Sequence, residues 1–223
     1  MHTASTSDEA YGSPLGTRPD RPWVGLCMVA SIDGSTAVDG SSGKLGNAND
    51  SAVLKQLRSI ADVIIVGAGT ARTEGYGPPS KPGQRIGVVT ASARVDVTTP
   101  LFTSGAGFLI TTTTATVPSS VDAVRAGDDA VDLVAALVGL GAVCDKPRVV
   151  QCEGGPSLNG SLFSRDLVDE INVTTSPLVV GGDGGRLATG AEAHSHSFEL
   201  SQLLIDDESF LFSRWSRKRR DDG

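Results

Sequence analysis

Aromatic residues make up only 4% of the chain, and histidine and cysteine occur three times each. Cys27, Cys144 and Cys152 are far apart and lack the paired spacing of a zinc site or a disulfide framework. Each lies among apolar neighbours, the setting of reduced, buried thiols in a cytosolic protein. His2 falls near the start. His194 and His196 form a single H-x-H in a Gly/Ala/Ser stretch that reads as an exposed loop, so no metal is expected. The chain has no G-x-S-x-G elbow for a Ser-His-Asp hydrolase and no G-x-x-x-x-G-K-[ST] phosphate loop. No apolar run approaches the roughly 20 residues that a bilayer-spanning helix requires. Residues 1–20 are polar, without a signal-peptide core, and read as a mobile tail of a cytoplasmic protein. Positive charge is also short: 19 Lys and Arg face 26 Asp and Glu, a net charge of −7. That excludes nucleic acid and anionic membranes as partners and leaves a small phosphate held in a local pocket.

Glycine, by contrast, is abundant, with 27 residues. Short apolar runs separate the glycine-rich stretches: Trp23–Ala30, Ala61–Gly67, Arg85–Thr90, Gly107–Thr111 and Pro147–Cys152 read as five strands buried on both faces. A helix starting at an Asp50 or Asn49 cap is predicted to run to Ile60, with Val53, Leu54, Leu57 and Ile60 at helical spacing. A second is predicted over Asp129–Leu140, with Val131, Val134, Ala135 and Val138 on one face, and a third from Pro156. A strand over Leu167–Thr175, a Gly-rich loop at Val180–Gly190 and a hairpin of Ser197–Ile205 with Ser209–Arg217 complete the chain. The alternation predicts an α/β fold with a mostly parallel, mixed central sheet that ends in an antiparallel hairpin. There is no internal repeat and no central linker. One domain is therefore expected over 21–216, followed by a basic and polar tail at 217–223, and the basic run of Arg214, Arg217, Lys218, Arg219 and Arg220 reads as solvated.

Two glycine turns stand at strand ends. Cys152-Glu153-Gly154-Gly155-Pro156-Ser157-Leu158-Asn159-Gly160 follows the fifth strand: its glycines let backbone approach a ligand, Pro156 suits the first helical position, and the free amides there attract phosphate. Gly67-Ala68-Gly69-Thr70 follows the second strand but lacks the third glycine of a Rossmann fingerprint. Together the two turns could clasp one dinucleotide from both sides. Glu153 sits where ligands of open α/β sheets bind.

In order and spacing, Ala30-Ser31-Ile32-Asp33-Gly34, Arg58, Gly67-Ala68-Gly69-Thr70 and Glu153-Gly154-Gly155-Pro156-Ser157-Leu158 resemble the reductase domain of the bacterial bifunctional riboflavin-biosynthesis deaminase/reductase. The resemblance spans Pro22 to Trp215. It implies a three-layer, dihydrofolate-reductase-like fold and an NADPH-dependent reductase. The implied reaction reduces the ribose of 5-amino-6-(5-phosphoribosylamino)uracil to a ribityl chain. It also implies a homodimer. On that pattern Ala30 and Thr70 line the nicotinamide side, the stretch from Gly155 to Ser161, with Pro156, Ser157, Leu158, Asn159 and Gly160, holds the cofactor's phosphates, and Gly67, Gly69 and Gly154 also bind the cofactor. Thr90, Ser92 and Arg94 reach the adenosine ribose, Arg94 being the candidate for the phosphate that distinguishes NADPH. Asp33, Lys44, Arg58, Glu74 and Glu153 face the substrate, and Glu153, Glu74, Lys44 or solvent delivers the proton.

Two departures from the family lie on the substrate side. The acidic segment after the threonine becomes Thr70-Ala71-Arg72-Thr73-Glu74-Gly75-Tyr76-Gly77-Pro78, and the loop before the first helix, Gly43-Lys44-Leu45-Gly46-Asn47-Ala48, lacks an aromatic. The H-x-E and P-C-x-x-C pair of the family's zinc deaminase is not found in these residues, so deamination is expected from another protein. Two alternatives stay open. One is a dihydrofolate-reductase-like pterin reductase, weakened by the lack of an acidic anchor at 52–60. The other is a non-catalytic dinucleotide-binding protein.

Overall fold

The strands form where β-branched and leucine-rich runs bury both faces. The computed structural model describes residues 11–193 and 195–218. It contains β1 (Trp23–Ser31), β2 (Val63–Gly67), β3 (Arg85–Val89), β4 (Gly107–Thr111), β5 (Ala123–Arg125), β6 (Val149–Cys152), β7 (Glu170–Ser176), β8 (Phe198–Ile205) and β9 (Leu211–Arg217). These join in one nine-stranded sheet of order β5-β4-β3-β2-β6-β1-β7-β9-β8. The strands from β5 to β7 run parallel, and β9 pairs antiparallel with both β7 and β8. The expected mixed sheet ending in a hairpin is thus observed, with β5 added at one edge.

Helices cover both faces: α1 (Ala48–Ile60), α2 (Ala68–Thr73) and α3 (Pro100–Thr103) on one side, α4 (Leu133–Gly139) and α5 (Pro156–Ser164) on the other. The cap of α1 is Asn47, whose side chain accepts from the Asp50 amide at 3.0 Å, rather than Asn49 or Asp50. Val53 and Leu57 bury against Phe210 and Phe212, about 1.5–3 kcal/mol for each fully buried side chain. The face assigned to the second predicted helix needs correction. In α4 the buried residues are Leu133, Ala136 and Leu137, whereas Val134 and Val138 are exposed. The cap explains the shift: Asp132 accepts from the Val134 and Ala135 amides, starting the helix later than expected.

Residues 11–20 are not a free tail. Tyr11 is buried against Val53 and Leu57, the Leu15 amide donates to Glu170 Oε2 at 2.9 Å, and Arg18 and Arg21 both bond the buried Asp169. Residues 1–10, including His2, lie outside the described residues, as do His194 and residues 219–223. Arg214 is no solvated cation either. It is 3% exposed, bonds Glu170 Oε1 and Asn172 Oδ1, and stacks its guanidinium over the Tyr11 ring. Arg217 pairs with Asp166. Among the described residues no helix is long and apolar enough to cross a membrane, and no cluster of His, Cys, Asp and Glu could hold a metal.

Candidate active site

Parallel strands deliver their carboxyl ends to one edge of the sheet, and a cleft of about 790 Å³ opens there. One half is built from the two glycine turns. The Gly67 amide donates to the Gly154 carbonyl at 2.7 Å, locking the turns together. Gly154 has φ +80° and Gly155 lies against Thr70, where a Cβ would overlap Thr70 Oγ1. No side chain caps α5, so its first amides open on the cleft beside Pro156 and Ser157. Gly67, Gly69, Thr70, Gly155, Ser157 and Leu158 all line this half, and Thr90 extends it at the end of β3.

The expected cofactor residues divide here. Ala30 lies outside the lining, and β1 contributes Cys27, Met28 and Val29 instead. Ser92 and Arg94 are exposed beyond the rim. Asn159 is fully buried and donates to the Leu187 carbonyl at 2.7 Å, stapling the Gly-rich loop to α5. Gly160 packs under that loop, where a Cβ would overlap the Thr189 carbonyl. These last two shape the site from behind.

The other half is acidic. Glu153, 7% exposed, receives four donors: Arg58 Nε at 2.7 Å, Arg58 Nη2 at 2.6 Å, the Tyr76 hydroxyl at 2.6 Å and Gln151 Nε2 at 2.9 Å. Such a carboxylate is an acceptor held in place, with no lone pair left to take up a proton without displacing a donor. The Tyr76 phenol is pushed well above its ordinary range by burial and then by the Glu153 charge, so it stays a hydrogen-bond donor to Glu153.

Glu74 lines the cleft and accepts from the Ser42 amide at 2.9 Å, closing the β1–α1 loop onto the end of α2. Lys44 is exposed, pairs with Asp39 at 2.5 Å and stays outside the lining. Asp33 also stays outside: its carboxylate accepts from Ser31 Oγ and from the Val180 and Gly181 amides, clasping the Gly-rich loop. Sequence reasoning passed over Tyr76, Thr36, Ser42 and, as a site residue, Asp50, all on the lining. Asp50 was marked only as a helix cap, and Tyr76 sits in the segment that departs from the family pattern.

A cradle of backbone amides beside a locked carboxylate suits a dinucleotide next to a polar heterocycle. The model of the RibD C-terminal domain matches residues 22–211. The chain belongs to that family. A relative from Aquifex aeolicus, 2,5-diamino-6-ribosylamino-4(3H)-pyrimidinone 5′-phosphate reductase, is 29% identical over 205 residues, 83% of this chain and 90% of that one. A pyrimidine reductase-like protein from Corynebacterium diphtheriae superposes with a TM-score of 0.81 at 25% identity, over 97% of this chain and all of its own. RibD from Acinetobacter baumannii superposes with a TM-score of 0.75 at 16% identity, over 90% of this chain and 59% of that one. The three-layer, dihydrofolate-reductase-like fold expected from the motifs is the fold observed. The chain is an oxidoreductase of the RibD C-terminal family, whose cofactor is a nicotinamide dinucleotide.

Proposed function

We propose that this reductase acts in riboflavin biosynthesis, using NADPH to reduce the ribose of a phosphorylated aminopyrimidine riboside to a ribityl chain. The observation that carries the reading is the meeting, in one cleft, of an uncapped α5 N-terminus with the four-donor Glu153 cluster. The amides following Gly155 hold pyrophosphate, with Thr70 and Leu158 beside the nicotinamide. When bound, the cofactor supplies the hydride. Glu153, fixed by Arg58, Tyr76 and Gln151, orients the sugar hydroxyls or amine, and Glu74 holds the β1–α1 loop closed over the reacting carbon. With Glu153 saturated, the proton comes from solvent. The extra phosphate of NADPH is met at the rim beyond Thr90, where Ser92 and Arg94 lie.

The chain acts as a homodimer through the uncovered apolar face of β8 and β9. Pterin reduction is the second reading, favoured by Asp50, a carboxylate in the first turn of α1 that lines the cleft. The deciding experiment follows loss of NADPH absorbance with the riboside phosphate and with dihydrofolate, each repeated with NADH. Turnover of the riboside phosphate with NADPH is expected. Reduction of dihydrofolate alone would establish the second reading, and inertness to both would refute the first.

A further inference from the structure

The four hydrogen bonds to Glu153 divide evenly between its oxygens: Arg58 Nε and Gln151 Nε2 reach Oε1, Arg58 Nη2 and the Tyr76 hydroxyl reach Oε2. Arg58 comes from α1 and Gln151 from β6, and neither lines the cleft. Tyr76 does, together with Glu74 and Thr70. Its place is set by the end of α2, where Gly75 takes φ +61° and the Tyr76 amide donates back to the Ala71 carbonyl at 3.1 Å. The ring packs on the cluster of Ile64, Val66, Ile86 and Val88, and the Arg58 guanidinium lies 5.5 Å from its centroid. Backbone, core and cation thus hold the phenol oxygen 2.6 Å from the carboxylate.

That bond decides what the phenol can offer a ligand. Its one proton points to Glu153, and burial followed by the Glu153 charge keeps the proton on it. Only acceptor capacity is left on the oxygen, and donation to a carboxylate strengthens it. Glu153 itself is 7% exposed with both oxygens filled. Its charge therefore reaches the cleft through Tyr76.

We propose that Tyr76 is a substrate-positioning residue whose phenol oxygen accepts a hydrogen bond from the sugar hydroxyl on the carbon next to the one that receives hydride. This rests on the reading that a riboside is reduced in this cleft. Glu153 directly precedes the Gly154–Gly155 turn that meets Thr70, so the cluster stands next to the site given to the nicotinamide. In the opened imine form of the sugar the neutral nitrogen has no proton to give, which leaves the neighbouring hydroxyl as the donor. A ligand without that hydroxyl leaves the polarised oxygen unpaired.

A cycle of protein and ligand variants tests this. With NADPH, kcat/KM is measured for the 2,5-diamino-4-pyrimidinone riboside phosphate or the corresponding uracil, whichever turns over faster, and for its 2′-deoxy analogue. Both are assayed with the unmodified protein and with Tyr76→Phe, which keeps the ring and removes the oxygen. The unmodified protein should favour the ribo compound at least about tenfold. Tyr76→Phe should bring the two within about threefold by slowing the ribo compound alone, with NADPH affinity and the circular dichroism spectrum unchanged. A tyrosine that merely braces Glu153 would slow both compounds alike. A preserved ratio in Tyr76→Phe, or equal rates in the unmodified protein, would overturn the assignment and leave the riboside reading standing. No turnover of either riboside by the unmodified protein would refute that reading and the role of Tyr76 with it. The ratio in the unmodified protein tests the role even where Tyr76→Phe folds poorly.

Discussion

The roles of three carboxylates in and beside the cleft follow from the number of donors that reach them. Glu153 has four and is fixed, Asp50 has one, from the Thr174 hydroxyl, at the start of α1, and Asp33, outside the lining, has three and is a clasp. The bond from Ser31, then those from the Gly181 and Val180 amides, hold the Asp33 carboxyl down at about 2, below its ordinary 3.8. A depressed folded-state pKa means that the clasp contributes fully above about pH 4 and is lost as pH falls through about 2. Pepsin digestion over that range should leave the 178–187 segment intact at pH 4 and cut it progressively toward pH 2, while Asp33→Asn is cut at pH 4 as well. Equal cutting of both proteins at pH 4, with the circular dichroism of each intact, would exclude the clasp. Glu153 and Arg58 were legible in the sequence because a strand end and a helix end mark their places. Tyr76 was not, because its partner Glu153 is 77 residues away and nothing local distinguishes an aromatic after Gly75.

At the scale of elements, the two glycine turns act as one device. The turn after β2 presents Thr70, and the turn after β6 presents Gly155 against it, joined by the Gly67 to Gly154 hydrogen bond. Gly155→Asp adds a side chain where Thr70 leaves no space and a negative charge where phosphate is expected. NADPH affinity should fall at least about a hundredfold in a fluorescence titration, with the thermal midpoint lowered and the sheet retained; unchanged affinity would refute this placement of the cofactor. Strand composition and turn chemistry were enough to find eight of the nine strands and α5. They missed β5, whose three residues are too few to show a period. They also misassigned the face of α4, since valines and leucines alternate there and only the Asp132 cap fixes which of them turn inward. Asn159 and Gly160 look like phosphate ligands in the sequence, but the tertiary packing of the 180–190 loop claims them.

The whole molecule carries a charge of −7 and leaves the β8 end of one sheet face without a covering helix. Beyond α5, Leu200, Leu203 and Ile205 of β8 are 48%, 47% and 61% exposed. Their register places them beside Trp215, Ser213 and Leu211 of β9, and then Ile171, Val173 and Thr175 of β7. No charged residue lies among these nine, while two copies of an acidic chain repel each other at long range. Association through this face should therefore strengthen with salt, which screens the repulsion and leaves apolar burial intact. Sedimentation should give twice the 22.9 kDa chain mass, with a dissociation constant that falls between low and physiological ionic strength. Leu203→Glu together with Ile205→Glu should yield a 22.9 kDa species of nearly unchanged thermal midpoint, because both side chains are already half-exposed in the single chain. A single-chain mass for the unmodified protein at micromolar concentration and 0.5 M salt would refute association through this face.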